Sequence, residues 1–169
     1  MTRSDFPAIG ALVPHSGPMC LLDRVLAHAP DHTVCAVDPR RSTLFAASGG
    51  GVPAWVGLEY MAQCIAAHGG LVALAQGLPL RPGVFLGSRR VSFAVQHFDA
   101  DRELRVSARH HRGARGLVAF DCEIRDLDGE SPLVHGRLNV YLVEAWEALE
   151  GAVVGVVGPG GPSDPGDAA

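Results

Sequence analysis

One carboxylate stands in an apolar stretch. In PAWVGLEYMAQCIAAHGG, residues 53–70, Glu59 lies among Trp55, Val56, Leu58, Met61, Ala62 and Ile65. A carboxyl deprived of water keeps its proton to higher pH, so near neutrality it can serve as a proton donor. At 100° per residue Trp55, Ala62 and Ala66 share its helix face, and Gln63, one turn on, is placed to hydrogen-bond it. The competing reading is a glutamate near a helix N-terminus, satisfied by local donors and the dipole.

The other titratable groups are less pointed. His97 stands beside the turn-like FDAD, and His110-His111 between Arg109 and Arg112 reads as a solvated hairpin end. His68, in the second half of the same helix, reads as a core or interface residue. Cys20, Cys35, Cys64 and Cys122 are scattered, with no C-x-x-C and no metal-like grouping with histidine. Each has apolar neighbours and reads as a reduced core thiol; Cys64 as a nucleophile is the alternative.

The elements that position Glu59 follow from periodicity. The helix starts at Pro53, where a missing N–H is harmless, and stops at Gln76-Gly77. It is apolar on nearly every side, so other structure should wrap it. Before it, 20–29 and 32–38 read as strands joined at Pro30-Asp31, and FPAIGALV (6–13) as a short helix or turn ended by Pro14. After it come GVFLGSRRVSF, ELRVSARH, LVAFDCEIRD and LVHGRLNVYLV. In the last three, apolar residues alternate with polar ones, which marks an antiparallel sheet with one wet face. The layout is α+β: a curled antiparallel sheet around one long apolar helix, in a single domain over residues 1–145. From 151 to the end nine of nineteen residues are Gly or Pro, so 146–169 is expected to be a disordered tail.

Bulk composition excludes several function classes. The 169 residues are 47% hydrophobic and 19% charged, with net charge −4, which suits a globular domain and disfavours non-specific nucleic-acid binding. The apolar run from Trp55 to Ala75 is broken by Glu59, Gln63, His68 and Gly69-Gly70, so no membrane span is expected. MTRSDFPAIG lacks the apolar core of a secretory signal, which points to the cytoplasm.

Three stretches carry a family resemblance. VPHSGPMCLLDRV (13–25) resembles the N-terminal signature of the hot-dog fold 3-hydroxyacyl-carrier-protein dehydratases, and PAWVGLEYMAQ (53–63) resembles the start of their central helix. GSRRVSFAVQHFDAD (87–101) is similar, more loosely, to the strand and turn that follow. The combination looks most like the dehydratase-type proteins of aryl polyene clusters. The resemblance implies a hot-dog fold and dehydration of 3-hydroxyacyl thioesters to trans-2-enoyl thioesters, in fatty-acid or aryl-polyene-type biosynthesis, without metal or organic cofactor. It makes Glu59 the acid that protonates the leaving hydroxyl.

One departure stands out. The family places its catalytic histidine in a His-Phe-Pro-Gly loop fourteen residues before the helix acid, and here that position is Phe45. His15, inside the first matched motif, becomes the first candidate for the base; a structural turn residue is the alternative. The N–H groups of Ala54, Trp55 and Val56, at the helix start, are expected to receive the thioester oxygen. An acyl carrier protein is the expected partner, docked by Arg89 and Arg90 with Arg81 nearby; a solvated strand competes with that reading. Pairing with a second hot-dog subunit, as homodimer or heterodimer, is implied as well. Two further functions stay open: a hot-dog acyl thioesterase, and a non-catalytic partner subunit of a heterodimeric dehydratase.

Overall fold

The computed structural model describes residues 6–47, 50–81, 83–114 and 116–143. Six strands form one antiparallel sheet: β1 (Arg24–Ala29), β2 (His32–Val37), β4 (Gly83–Phe93), β6 (Leu104–Ala114), β7 (Leu117–Asp126) and β8 (Val134–Leu142), in the order β1-β2-β6-β7-β8-β4. A second ladder pairs β3 (Val52–Pro53) with β5 (His97–Phe98). The one α-helix among the described residues, α1, spans Gly57–Ala75 and packs on the inner face of β1, β2, β6 and β7. This is the α+β layout read from periodicity. The tail expected from residue 146 lies outside the described residues.

Alternation does what it should. Leu104, Val106 and Ala108 of β6, Val118, Phe120, Cys122 and Ile124 of β7, and Leu138 and Val140 of β8 are buried against the helix. From α1 they meet Tyr60, Met61, Cys64, Ala67 and Leu71. Cys35, Cys64 and Cys122 are buried free thiols, as expected, whereas Cys20 is only half-buried.

Two boundaries differ from the sequence reading, each for a local reason. Residues 20–23 precede the first strand: Cys20 closes a 3-10 turn over Gly17–Met19, and the Leu21 N–H is given to the Gln63 side chain. Pro53 does not open the helix. It is extended (φ −54°, ψ 136°), pairs with His97 in the small ladder, and caps a 3-10 turn over Ala54–Val56 that leads into α1. The helix ends as expected. Gly77 takes φ 65°, Gly77 N–H bonds the Leu74 carbonyl and Leu78 N–H the Ala73 carbonyl, which is a Schellman stop.

His68 is buried, its Nδ1 2.9 Å from the Thr33 hydroxyl, which in turn lies 2.8 Å from His28 Nδ1. Its ring also stacks on His110 and meets Phe120 edge-on. His110 is therefore packed rather than solvated, contrary to the expectation for a hairpin end. Burial first, then the neighbouring imidazoles of His28 and His110, lower the pKa of His68 from 6.5 to about 4. The folded state thus refuses a proton that the unfolded chain accepts near pH 6.5. Stability attributable to this group falls as pH drops from about 6.5 towards 4, and the whole penalty is present below that. Thermal unfolding followed from pH 7.5 to 4 is expected to lose less stability in His68→Phe than in the unaltered chain. Parallel curves would remove His68 from the cause.

Gly70 lets the N-terminal segment touch the helix: a Cβ there would sit 2.4 Å from the Leu12 carbonyl oxygen. Gly69, by contrast, has nothing within 4 Å of such a Cβ. Gly70→Ala is expected to cost about 1–3 kcal/mol in denaturant unfolding through overpacking. Gly69→Ala should instead be neutral or stabilising by up to about 1 kcal/mol, as for glycine replaced inside a helix.

Candidate active site

The sheet covers only one side of α1. Glu59, Ala62, Ala66 and Gly69, spaced by three, four and three residues, form the stripe it leaves open. Against that stripe lie the segment Leu12–His15, the residues leading into β4, and the end of β8. Together they enclose a cavity of about 490 Å³, within the range of small-molecule sites.

Glu59 sits at one end of this cavity beside His15, whose Nε2 is 3.2 Å from Glu59 Oε1. The same oxygen accepts from Gln63 Nε2 at 2.8 Å. Gln63 is fully buried, and its orientation is not open to choice. Its Oε1 accepts the Leu21 N–H at 2.9 Å, so its amide nitrogen must face the Met19 carbonyl, at 2.7 Å, and Glu59. Glu59 Oε1 therefore accepts one hydrogen bond, from Gln63, and lies within ion-pair distance of His15, while no partner among the described residues holds Oε2. The sequence suggested a carboxyl shut away from water, yet a third of the Glu59 side chain is exposed in this chain. Its environment is a hydrogen-bonded rim rather than an apolar pocket.

His15 is confined differently. Its Nδ1 is buried and has no hydrogen-bond partner. A sealed ring nitrogen is better left as a lone pair than as an orphaned N–H, so the neutral ring carries its proton on Nε2, the nitrogen 3.2 Å from Glu59 Oε1. The two residues meet within one chain.

Other expected site residues divide. The Ala54 N–H is already given to the Gln96 carbonyl at 2.9 Å, so it is not a free donor for a thioester oxygen. Neither Trp55 nor Val56 lines the cavity, and Val56 is buried. Arg81 and Arg90 do not share one patch. Arg81 borders the Glu59 cavity, whereas Arg90 opens on a separate groove on the outer face of the sheet with Arg109, Arg137 and His135. Two of these are already paired, Arg109 with Asp31 and Arg137 with Asp121. The Arg89 side chain lies outside the described atoms. His97 is exposed on β5, away from the cavity lining. No group of three metal-capable side chains is found among the described residues.

Phe45, at the position where a loop histidine was sought, stacks edge-on against the exposed Trp55, ring centroids 5.9 Å apart. The stretch leading into it is pinned twice. The buried Ser42 hydroxyl pairs with the Tyr60 phenol at 3.0 Å, and Asp23 accepts from the Asp38 N–H while pairing with Arg41. Burial pushes the Asp23 carboxyl up and the Tyr60 phenol up from their ordinary values. Sequence reasoning did not anticipate Met19, Leu21, Leu12 or the Ser42–Tyr60 pair. Each acts through a contact across 18 or more residues, for which no local pattern exists.

Known proteins resemble this chain over most of its length. The family described as "ApeP-like: ApeP dehydratase" matches residues 7–150. The dehydratase heterocomplex ApeI:P from Xenorhabdus doucetiae superposes with TM-score 0.79 at 26% identity, covering 87% of this chain and 98% of that one. Zebra fish thioesterase superfamily member 2 gives 0.59 at 14% identity, with 80% and 93% covered. AziG of S. sahachiroi gives 0.56 at 15% identity, with 75% and 94% covered. The last two share the hot-dog fold with this chain. No protein of curated function matches it in sequence. No described helix is long and apolar enough to cross a membrane.

Gln63→Leu keeps the volume but removes every contact the amide makes. It should destabilise by about 1–3 kcal/mol, chiefly through the orphaned Leu21 N–H. Denaturant unfolding checks this; an unchanged midpoint would mean the amide ties nothing down.

Proposed function

The chain belongs to the ApeP-like dehydratase family, and from that membership we propose that it dehydrates 3-hydroxyacyl thioesters presented on an acyl carrier protein. The product is the trans-2-enoyl thioester, as part of aryl-polyene-type biosynthesis, and the chain works beside a second hot-dog subunit. The observation that supports the reading is the Glu59 carboxyl. One of its oxygens is held by Gln63, with His15 3.2 Å away, and the other is left open at a ligand-sized cavity. Such a group is oriented by its neighbours and still has an oxygen to work with.

The elimination needs a base for the proton next to the thioester carbonyl and an acid for the departing hydroxyl. Glu59 suits the acid: Oε2 passes a proton to the C3 oxygen, the C3–O bond breaks, and water leaves. The electron pair freed at C2 becomes the new C2–C3 double bond. His15 shields one side of the carboxyl and keeps its proton on Nε2, but its other nitrogen is sealed and takes no proton from a ligand as the chain stands. Phe45 supplies no base either. The missing imidazole is therefore assigned to the second subunit. The neighbouring ApeI:P protein is itself described as a heterocomplex. The seat for that subunit is the edge of the sheet. Among the described residues β4 has no strand beyond it, and it exposes Phe85, Leu86 and Phe93, an apolar edge of the kind that natural sheets cover.

The assay uses a 3-hydroxyacyl carrier protein and follows both enoyl formation and thiol release, with the chain alone and mixed with a hot-dog dehydratase partner. Enoyl product only in the mixture is expected. Glu59→Gln in this chain should lower that rate by about 10²–10⁴-fold, the usual range for a proton-transfer group, with unfolding unchanged. Full activity in Glu59→Gln rejects its role. Thiol release without enoyl product would move the chain to the thioesterases, and activity alone would return the base to this chain.

A further inference from the structure

The cavity beside Glu59 is longer than the elimination itself requires. The open stripe from Glu59 to Gly69 covers ten residues, about 15 Å of helix. Its ends can be placed. His15 meets Glu59 at one end, and Leu12 lies against Gly70 at the other. β4 runs opposite to α1, because Gln96, just beyond its end, accepts from Ala54 at the helix start. Gly83, and Arg81 before it, therefore belong to the end of the cavity away from Glu59. Arg81 is exposed there and has no ion-pair partner among the described residues.

The wall between these ends is hydrocarbon. Leu12, Ala62, Ile65, Ala66, Phe85 and Val140 contribute to it, and apart from His15, Glu59 and Arg81 no lining side chain can hydrogen-bond. A pantetheine arm laid here would leave its two amides unpaired, whereas an acyl chain loses nothing. A methyl end arriving at the exposed Arg81 gains nothing from the cation, whereas an oxygen acceptor would pair with it.

We propose that this groove is the acyl-chain channel, floored by Ala62, Ala66 and Gly69, and that Arg81 receives an oxygen-bearing far end of the chain. At about 1.2 Å per bond of extended chain, 15 Å accommodates roughly twelve bonds beyond the reacting carbons. The substrate class is thus a long 3-hydroxyacyl thioester ending in a carboxylate or another acceptor oxygen. The inference rests on the dehydratase reading above.

Three pantetheine thioesters test it with the protein in its active assembly: 3-hydroxybutanoyl, 3-hydroxydodecanoyl, and the latter with a terminal carboxylate. The carboxylate chain is expected to exceed its methyl-ended equivalent in kcat/KM by about tenfold, as one charge-assisted pair allows. Arg81→Gln should bring that ratio to about one. Gly69→Leu adds bulk where a Cβ meets nothing, and should lower the long-to-short ratio by about tenfold. Equal losses on all three substrates would place the arm in the groove and overturn the proposal, as would unchanged ratios in both variants. Calorimetry separates this from the dehydratase reading. Non-reactive dodecanoyl and carboxydodecanoyl pantetheine amides should bind the chain with the same preference, lost in Arg81→Gln, even if no substrate turns over. Absent or equal binding of the two sinks the channel whatever the kinetics show.

Discussion

A single buried amide holds this site together. Gln63 joins the helix to the N-terminal segment through the Leu21 N–H and the Met19 carbonyl, and its remaining N–H aims Glu59. A buried glutamine is tolerable only when all its groups are paired, and here each pairing also does positional work. Reversing the amide would set two acceptors against each other at Met19 and Glu59 and two donors at Leu21. Placement of the carboxyl is thus a consequence of how residues 19–21 cross the helix, and that crossing in turn needs the close approach of Leu12 at Gly70.

The sheet decides which side of the helix is left for chemistry. β6 and β7 pack the Tyr60, Cys64 and Ala67 side, so the opposite stripe must be covered by something that is not sheet. The N-terminal segment covers part of it. β4 would be the other candidate, but two register shifts, at Leu86 and at Arg89, interrupt its alternation. A bulged strand twists and redirects its side chains. Consecutive residues Phe85 and Leu86 are both exposed in consequence, and β4 flanks the stripe without sealing it.

How much of this could be read in advance depended on the range of the cause. Strands β6, β7 and β8 were legible because a period of two records burial residue by residue. The helix end was legible because Gly77 must adopt a left-handed backbone. The helix start was misplaced at Pro53, because a pairing with His97, forty-four residues on, holds that proline extended. Glu59 and Gln63 stood out as an i, i+4 pair in an apolar stretch, and their bond is local. What Gln63 does with its other two hydrogen bonds was not legible, since Met19 and Leu21 are distant in sequence. The same limit misled the reading of the arginines. Proximity along the chain suggested one basic patch, but Arg81 borders the cavity and Arg90 the outer face of the sheet.

The substitution at residue 45 carries a mechanistic argument. The stretch leading into it is ordered: Ser42 with Tyr60, and Asp23 with Arg41 and the Asp38 N–H, fix it at two points. An imidazole at 45 would need a polar partner, whereas a phenyl ring needs only the face of Trp55, and the T-shaped contact provides that. The loop is thus built for an aromatic anchor. On the proposed reading, the carboxyl half of a two-group elimination stays on this chain, organised by Gln63 and His15, and the imidazole half lies across a subunit boundary. That division explains a sealed His15 Nδ1 without cost to catalysis. His15 then has only to flank Glu59 and fill space, and a nitrogen closed to the ligand is no handicap in that role.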